Sequence, residues 1–88
     1  MRVWFDTNAC VADNRYSLGC AGTRRDLSAL GTELSAGMRL TLYMEDGAPD
    51  GPPELLLVDA VVEEFQGALI AHVDPETWRR EPAPRKAG

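Results

Sequence analysis

One histidine, two cysteines and a single lysine are present among 88 residues, and each scarcity closes off some chemistry. Structural zinc takes about four thiolate or imidazole ligands in tight spacing. Cys10, Cys20 and His72 supply three, far apart, so no metal or other cofactor is expected. In a reducing compartment the two cysteines are expected as small buried thiols rather than a disulfide. No apolar run reaches about 18 residues, so no membrane span is expected. Between Leu40 and Trp78 there is no Lys or Arg against nine acids. Phosphate contact needs those cations, so a nucleic-acid groove is not expected along that half.

What remains describes a small folded domain. A chain of this length forms one domain and buries roughly 60–65% of its unfolded surface. The net charge is −5, and outside the acidic segment five acids face nine bases. That split suits a basic protein partner. The plainer reading is a solvated acidic face that keeps a small protein soluble. The opening MRVWFDTNAC does not have the form of a signal peptide, which gives a cytoplasmic expectation. Eight arginines on an Ala-, Gly- and Pro-rich background point to a bacterial origin.

Arg2–Asp6 (RVWFD) is a short β-prone run, and the turn-rich segment after it reads as a long irregular loop with room for a short strand. Thr23 and Asp26 have the spacing of a capping box, and Leu27, Leu30 and Leu34 form a helical stripe, so a short helix is expected over 24–30 with Gly31 ending it. Met38, Leu40, Leu42 and Met44 alternate with polar residues, as on a half-buried strand. Leu55–Phe65 is a second strand whose face is Leu56, Val58, Ala60 and Val62, with a bend or bulge expected near Asp59–Ala60. Gln66-Gly67 turns it into Ala68–Val73. Asp74-Pro75 starts a single helical turn, a short strand follows over 79–81, and residues 82–88 read as a disordered tail. The domain is therefore placed at 1–81. A sheet of so few strands must limit its edges. The expected fold is mainly β: a small five-stranded antiparallel barrel, with one short helix before the second main strand and one helical turn near the C-terminus.

LSAGMRLTL, followed by a polar loop at MEDGAPDGPPE, a tight turn at Gln66-Gly67 and the turn DPETW, resembles the layout of Src-homology-3-like barrels. The resemblance implies the fold alone, because the aromatic doublets and proline that line that family's peptide groove have no match here. Asp26, Ser28 and Gly31 spell DxSxxG, which resembles half of the signature of PilZ-type cyclic-dinucleotide receptors. The RxxxR half is absent.

Catalytic groups are sparse. His72 sits near a strand end, where solvent exposure or a plain hydrogen bond is expected, and Glu63 and Glu64 point to opposite faces. The acids at 45, 46, 50 and 54 match no calcium-loop register, so the stretch between Met44 and Glu54 reads as a polar connection. The functional expectation is a non-enzymatic interaction or regulatory module that binds a protein partner as a monomer or weak homodimer. Arg24, Arg25, Tyr43, Asp46, Asp50 and Trp78 are the candidate contacts. The alternatives are a cyclic-dinucleotide-type receptor holding its ligand on Arg24 and Arg25, or a cation-binding domain.

Overall fold

The computed structural model describes residues 1–47 and 50–83. Among them the order is β1 (Arg2–Trp4), β2 (Cys10–Ala12), β3 (Arg15–Ser17), α1 (Ala21–Leu30), β4 (Arg39–Glu45), β5 (Glu54–Phe65), β6 (Ala68–Val73), a 3-10 turn at Pro75–Thr77, and β7 (Arg79–Pro82). The fold is mainly β. One sheet runs β1-β4-β5-β6-β3-β2, and β7 pairs with β5 beside β6. Among the described residues no helix is long and apolar enough to cross a membrane.

The sheet is not closed, and it departs from a five-stranded antiparallel barrel in two places. The expected first loop contains a hairpin, β2–β3, that turns where Asn14 takes a left-handed conformation (φ 58). Asn tolerates that region better than most residues. Then β1 lies parallel to β4, with Val3 opposite Leu42 and Trp4 opposite Tyr43. Among the described residues no ladder joins β1 to β2 or to β7; the side chains of Arg2 and Glu81 bridge β1 to β7.

The alternation in β4 holds, with Leu40 and Leu42 buried. In β5 the buried residues are Leu55 and Leu57, then Val58, Ala60 and Val62. The buried set thus changes face between Leu57 and Val58, and Leu56 is only half-buried. No bulge accompanies the change, because the register with β4 is unbroken from Glu45 opposite Leu55 to Arg39 opposite Val61. What changes is the other neighbour. β7 flanks β5 as far as Leu57, and β6 flanks it from Ala60 onward. Asp59 falls in the gap, where its N–H donates to Thr77 Oγ1 at 2.9 Å and its carbonyl accepts from Asp74 N–H at 2.8 Å. The 3-10 turn therefore satisfies the backbone that neither strand reaches.

The main core joins Val3, Phe5, Leu18, Leu27, Leu40, Leu42, Val58, Ala60, Val62, Ala71 and Val73. Each large side chain buried there stabilises by roughly 1.5–3 kcal/mol. The helix starts at Ala21, three residues before the expected start, and its N-cap Cys20 makes no side-chain capping bond. Thr23 and Asp26 do not form a capping box; both turn toward β1. Gly31 ends the helix in the left-handed region (φ 63), and Thr32 N–H donates to Leu27 O at 3.0 Å, closing the turn as a glycine C-terminus does. Leu27 is buried and Leu34 packs on the core, but Leu30 is 50% exposed. The expected three-leucine stripe fails there because α1 packs along a strand of only three residues. Cys10 is exposed and Cys20 half-buried, both as free thiols, since they sit on the outermost strand and at the helix start rather than in the core. The connection after β4 is shorter than expected, because Glu45 and Glu54 are both strand residues. β7 reaches Pro82; positions 84–88 of the expected tail lie outside the described residues.

Candidate functional site

The register of β1 on β4 sets Trp4 beside Tyr43, and side chains directly opposite in a sheet share a face. The start of α1 lies against the same place. A Cβ on Gly22 would stand 2.5 Å from the Trp4 ring, so only glycine lets the helix approach this closely. Asp26, one turn further on, accepts from two donors with one oxygen: Trp4 N–H at 2.9 Å and Tyr43 Oη–H at 2.8 Å. Thr23 Oγ1 donates to the Trp4 carbonyl at 2.7 Å. Trp4 Nε1–H donates to Glu45 Oε2 at 3.1 Å.

These bonds frame a hollow of about 380 Å³ lined by Trp4, Gly22, Arg25, Asp26, Tyr43 and Glu45. Both aromatic residues are half-buried, and their polar atoms are tied to carboxylates. The Tyr43 phenol is pushed up to about 12, first by burial, then by its bond to Asp26 and the charges of Asp26 and Glu45. Arg25 stands at the lip and forms no ion pair among the described residues. The hollow thus offers two oriented aromatic side chains and one available guanidinium, the residue types that dominate binding at protein interfaces.

Of the expected contact residues, Arg25 and Tyr43 come together here. Arg24 is exposed on α1 away from this lining. Asp46 pairs with Arg80 at 2.6 Å, and the two help line a separate depression with Gly47, Gly51, Pro52 and Glu54. Asp50 is exposed in the adjoining turn. Trp78 packs inward, with its ring centroid 6.1 Å from Phe5 and 6.3 Å from Tyr16. Trp4 and Glu45 were missed from sequence. Trp4 reads as an ordinary β-former, and only a parallel pairing brings it to Tyr43.

The charge split along the chain is answered in part within the molecule. Arg15, Arg79 and Arg80, from outside the acidic segment, pair with Glu63, Asp59 and Asp46 inside it. Arg79 holds the Asp59 carboxyl below its usual range, and Arg15 does the same for Glu63. Asp26 of the DxSxxG stretch faces Trp4 and Tyr43, while Ser28 is exposed on the helix and Gly31 ends it. Among the described residues no three His, Cys, Asp or Glu side chains converge as a metal ion would need. No protein-family model, curated protein or solved structure matches this chain.

Proposed function

We propose that this chain is a non-enzymatic interaction module that binds a protein partner through the hollow at Trp4, Tyr43 and Arg25. The observation that carries the proposal is the pair of aromatic side chains fixed beside an unpaired arginine. Interface energy concentrates in such side chains when they are held in place before binding. Asp26 and Glu45 hold the Tyr43 hydroxyl and the Trp4 indole N–H, so a partner meets oriented rings and little entropy is lost in ordering them. The guanidinium of Arg25 supplies a directional contact for a carboxylate or carbonyl of the partner. The likeness to Src-homology-3-like domains is kept as one of layout: a single helical turn between the last two strands of a small sheet.

The test is a tagged pull-down from the host organism, washed at low and at high salt, with Arg25→Glu and Asp50→Lys run beside the wild-type chain. The proposal expects a partner that Arg25→Glu loses and Asp50→Lys retains. A partner held equally by wild type and Arg25→Glu moves the contact elsewhere. A partner lost only with Asp50→Lys shifts it to the acidic loop.

A further inference from the structure

A further concavity lies on the non-core face of β4, β5 and β6. Register places Arg39, Val61 and His72 side by side across the three strands, with neighbouring Cβ atoms about 5 Å apart. Arg39 forms no ion pair among the described residues. His72 is tethered at one end only: its Nδ1 lies 3.0 Å from Glu63 Oε2. The other oxygen of Glu63 takes Arg15 Nε, and that pair keeps Glu63 ionised. A carboxylate only accepts, so Nδ1 carries the hydrogen and Nε2 is left facing away from Glu63. Between Arg39 and His72, Val61 is 42% exposed, an apolar floor with a polar group on each side. The groove measures about 510 Å³, and Met1, Thr41, Asp59 and Asp74 complete its rim.

Two carboxylates at the rim constrain the charge of a ligand. Asp59 is occupied by Arg79 and Thr41, and Asp74 accepts from Glu76 N–H. A dianion such as a phosphate monoester meets their repulsion twice over, whereas a single negative charge is answered by Arg39 and His72. We propose that this groove binds an aliphatic monocarboxylate, with its carboxylate on the Arg39 guanidinium and His72 Nε2 and its alkyl part along Val61 and Met1. Because Nε2 donates only in the imidazolium, binding takes up a proton at His72. The charged groups facing that ring are Glu63 from β5, Arg15 from β3 and Asp74 after β6, with Arg39 across Val61. Because binding takes up a proton, affinity falls as pH rises. The ligand can be a free small acid or the end of a polypeptide with an aliphatic last residue. This proposal is independent of the Trp4 hollow.

The experiment is a titration of the ¹⁵N-labelled chain at constant ionic strength, followed by amide NMR shifts. The probes are sodium valerate, N-acetyl-valyl-valine and the C-terminal amide of that dipeptide. Saturable shifts centred on Arg39, Val61 and His72 are expected with a carboxylate probe and not with the amide. Arg39→Gln, on an exposed position, should keep a dispersed spectrum and bind at least about tenfold more weakly. His72→Gln should abolish the pH dependence, and Glu33→Gln, exposed and outside both linings, should leave binding of the probes unchanged. Valerate binding as tightly as the dipeptide assigns the site to free acids; dipeptide binding alone assigns it to a chain terminus. Equal binding of acid and amide, indifference to Arg39→Gln, or no saturable shift with any probe overturns the proposal.

Discussion

The two strands bridged by Arg2 and Glu81 meet the same hazard differently. Each lies at an edge, where unpaired backbone groups invite another strand. On β1 the free groups of Trp4 are answered by side chains from α1. Asp26 accepts the N–H, and Thr23 donates to the carbonyl. The helix thus stands in for a neighbouring strand. On β7 the free side has no helix over it, and the strand carries a proline at its last position. One edge is covered by long-range contacts, and the other is blunted by local chemistry. The covered edge is also where the aromatic hollow forms, because the helix that seals β1 supplies Gly22, Arg25 and Asp26 to its wall. At β1 the residues that seal the edge also wall the hollow.

Breaking the cover should show this most strongly. Asp26→Ala removes the acceptor of two donors at once, and hydrogen bonds to a charged group are worth about 1.5–3 kcal/mol each. A loss of about 3 kcal/mol is expected in urea unfolding, together with any partner binding at the hollow. Gly22→Ala comes next. Its Cβ would stand 2.5 Å from Trp4 Cε3 and 2.9 Å from Cδ2, so the ring or the helix must move. Overpacking of this kind costs about 1–3 kcal/mol, against a gain of about 1 kcal/mol in helix propensity. A net loss that displaces the Trp4 fluorescence maximum is expected. An unchanged spectrum and melting temperature would show that α1 is not held against the ring. Thr23→Val keeps the volume of a fully buried side chain and removes only the hydroxyl. About 1–2 kcal/mol should be lost as the Trp4 carbonyl goes unpaired.

The same contrast marks what the sequence could tell. β4 and β6 are local patterns, and so are the Gln66-Gly67 turn and the Asp74-Pro75 start, so each was legible from a window of a few residues. Gly31 was legible as a helix end for the same reason. The edge cover was not. Thr23 and Asp26, three apart, lie on one face of a helix, and that spacing serves a capping box and a pair of side chains laid on a strand equally well. What decides between them is a strand about twenty residues earlier in the chain. Nothing local ties Trp4 to Tyr43, because only the parallel ladder of β1 on β4 makes them neighbours. The change of buried face within β5 was hidden likewise. It follows from which strand lies alongside, β7 or β6, and not from the order of its apolar residues. The ion pairs were hidden in the same way, since Arg15, Arg79 and Arg80 reach three acids of the segment only when the chain folds.

The Tyr43 phenol gives a finer probe of the covered edge. Its raised value means that the folded state favours the protonated hydroxyl. The stabilisation is therefore complete below the ordinary tyrosine range near 10 and is lost as pH rises toward about 12. Absorbance near 295 nm should resolve one phenol ionising at about 12. The other, Tyr16, is also raised, by burial first. Asp26→Asn removes the charge and keeps an acceptor, so it should bring the Tyr43 step downward and leave Tyr16 in place. Equal movement of both steps would mean that the sheet has loosened as a whole.

The smallest effect on stability is expected at the blunted edge. Ala83 N–H donates to Pro53 O at 3.0 Å. Hydrogen-bonded pairs alternate along an antiparallel ladder, so the pairs Leu55–Glu81 and Leu57–Arg79 are bonded too. Pro82 then lies at a position whose nitrogen faces away from β5, where a strand tolerates proline and where a donor would otherwise face outward. Pro82→Thr should leave unfolding free energy within about 0.5 kcal/mol of wild type. Its consequence should be intermolecular: a restored N–H on an open edge gives a second copy a bond to pair with. Sedimentation velocity over a range of concentrations reads this directly. A sedimentation coefficient that climbs with concentration for Pro82→Thr more steeply than for the wild-type chain identifies the proline as the guard of that edge. Identical curves would assign the guard to the charges of Arg79, Arg80 and Glu81, and would make the two edges alike in relying on side chains.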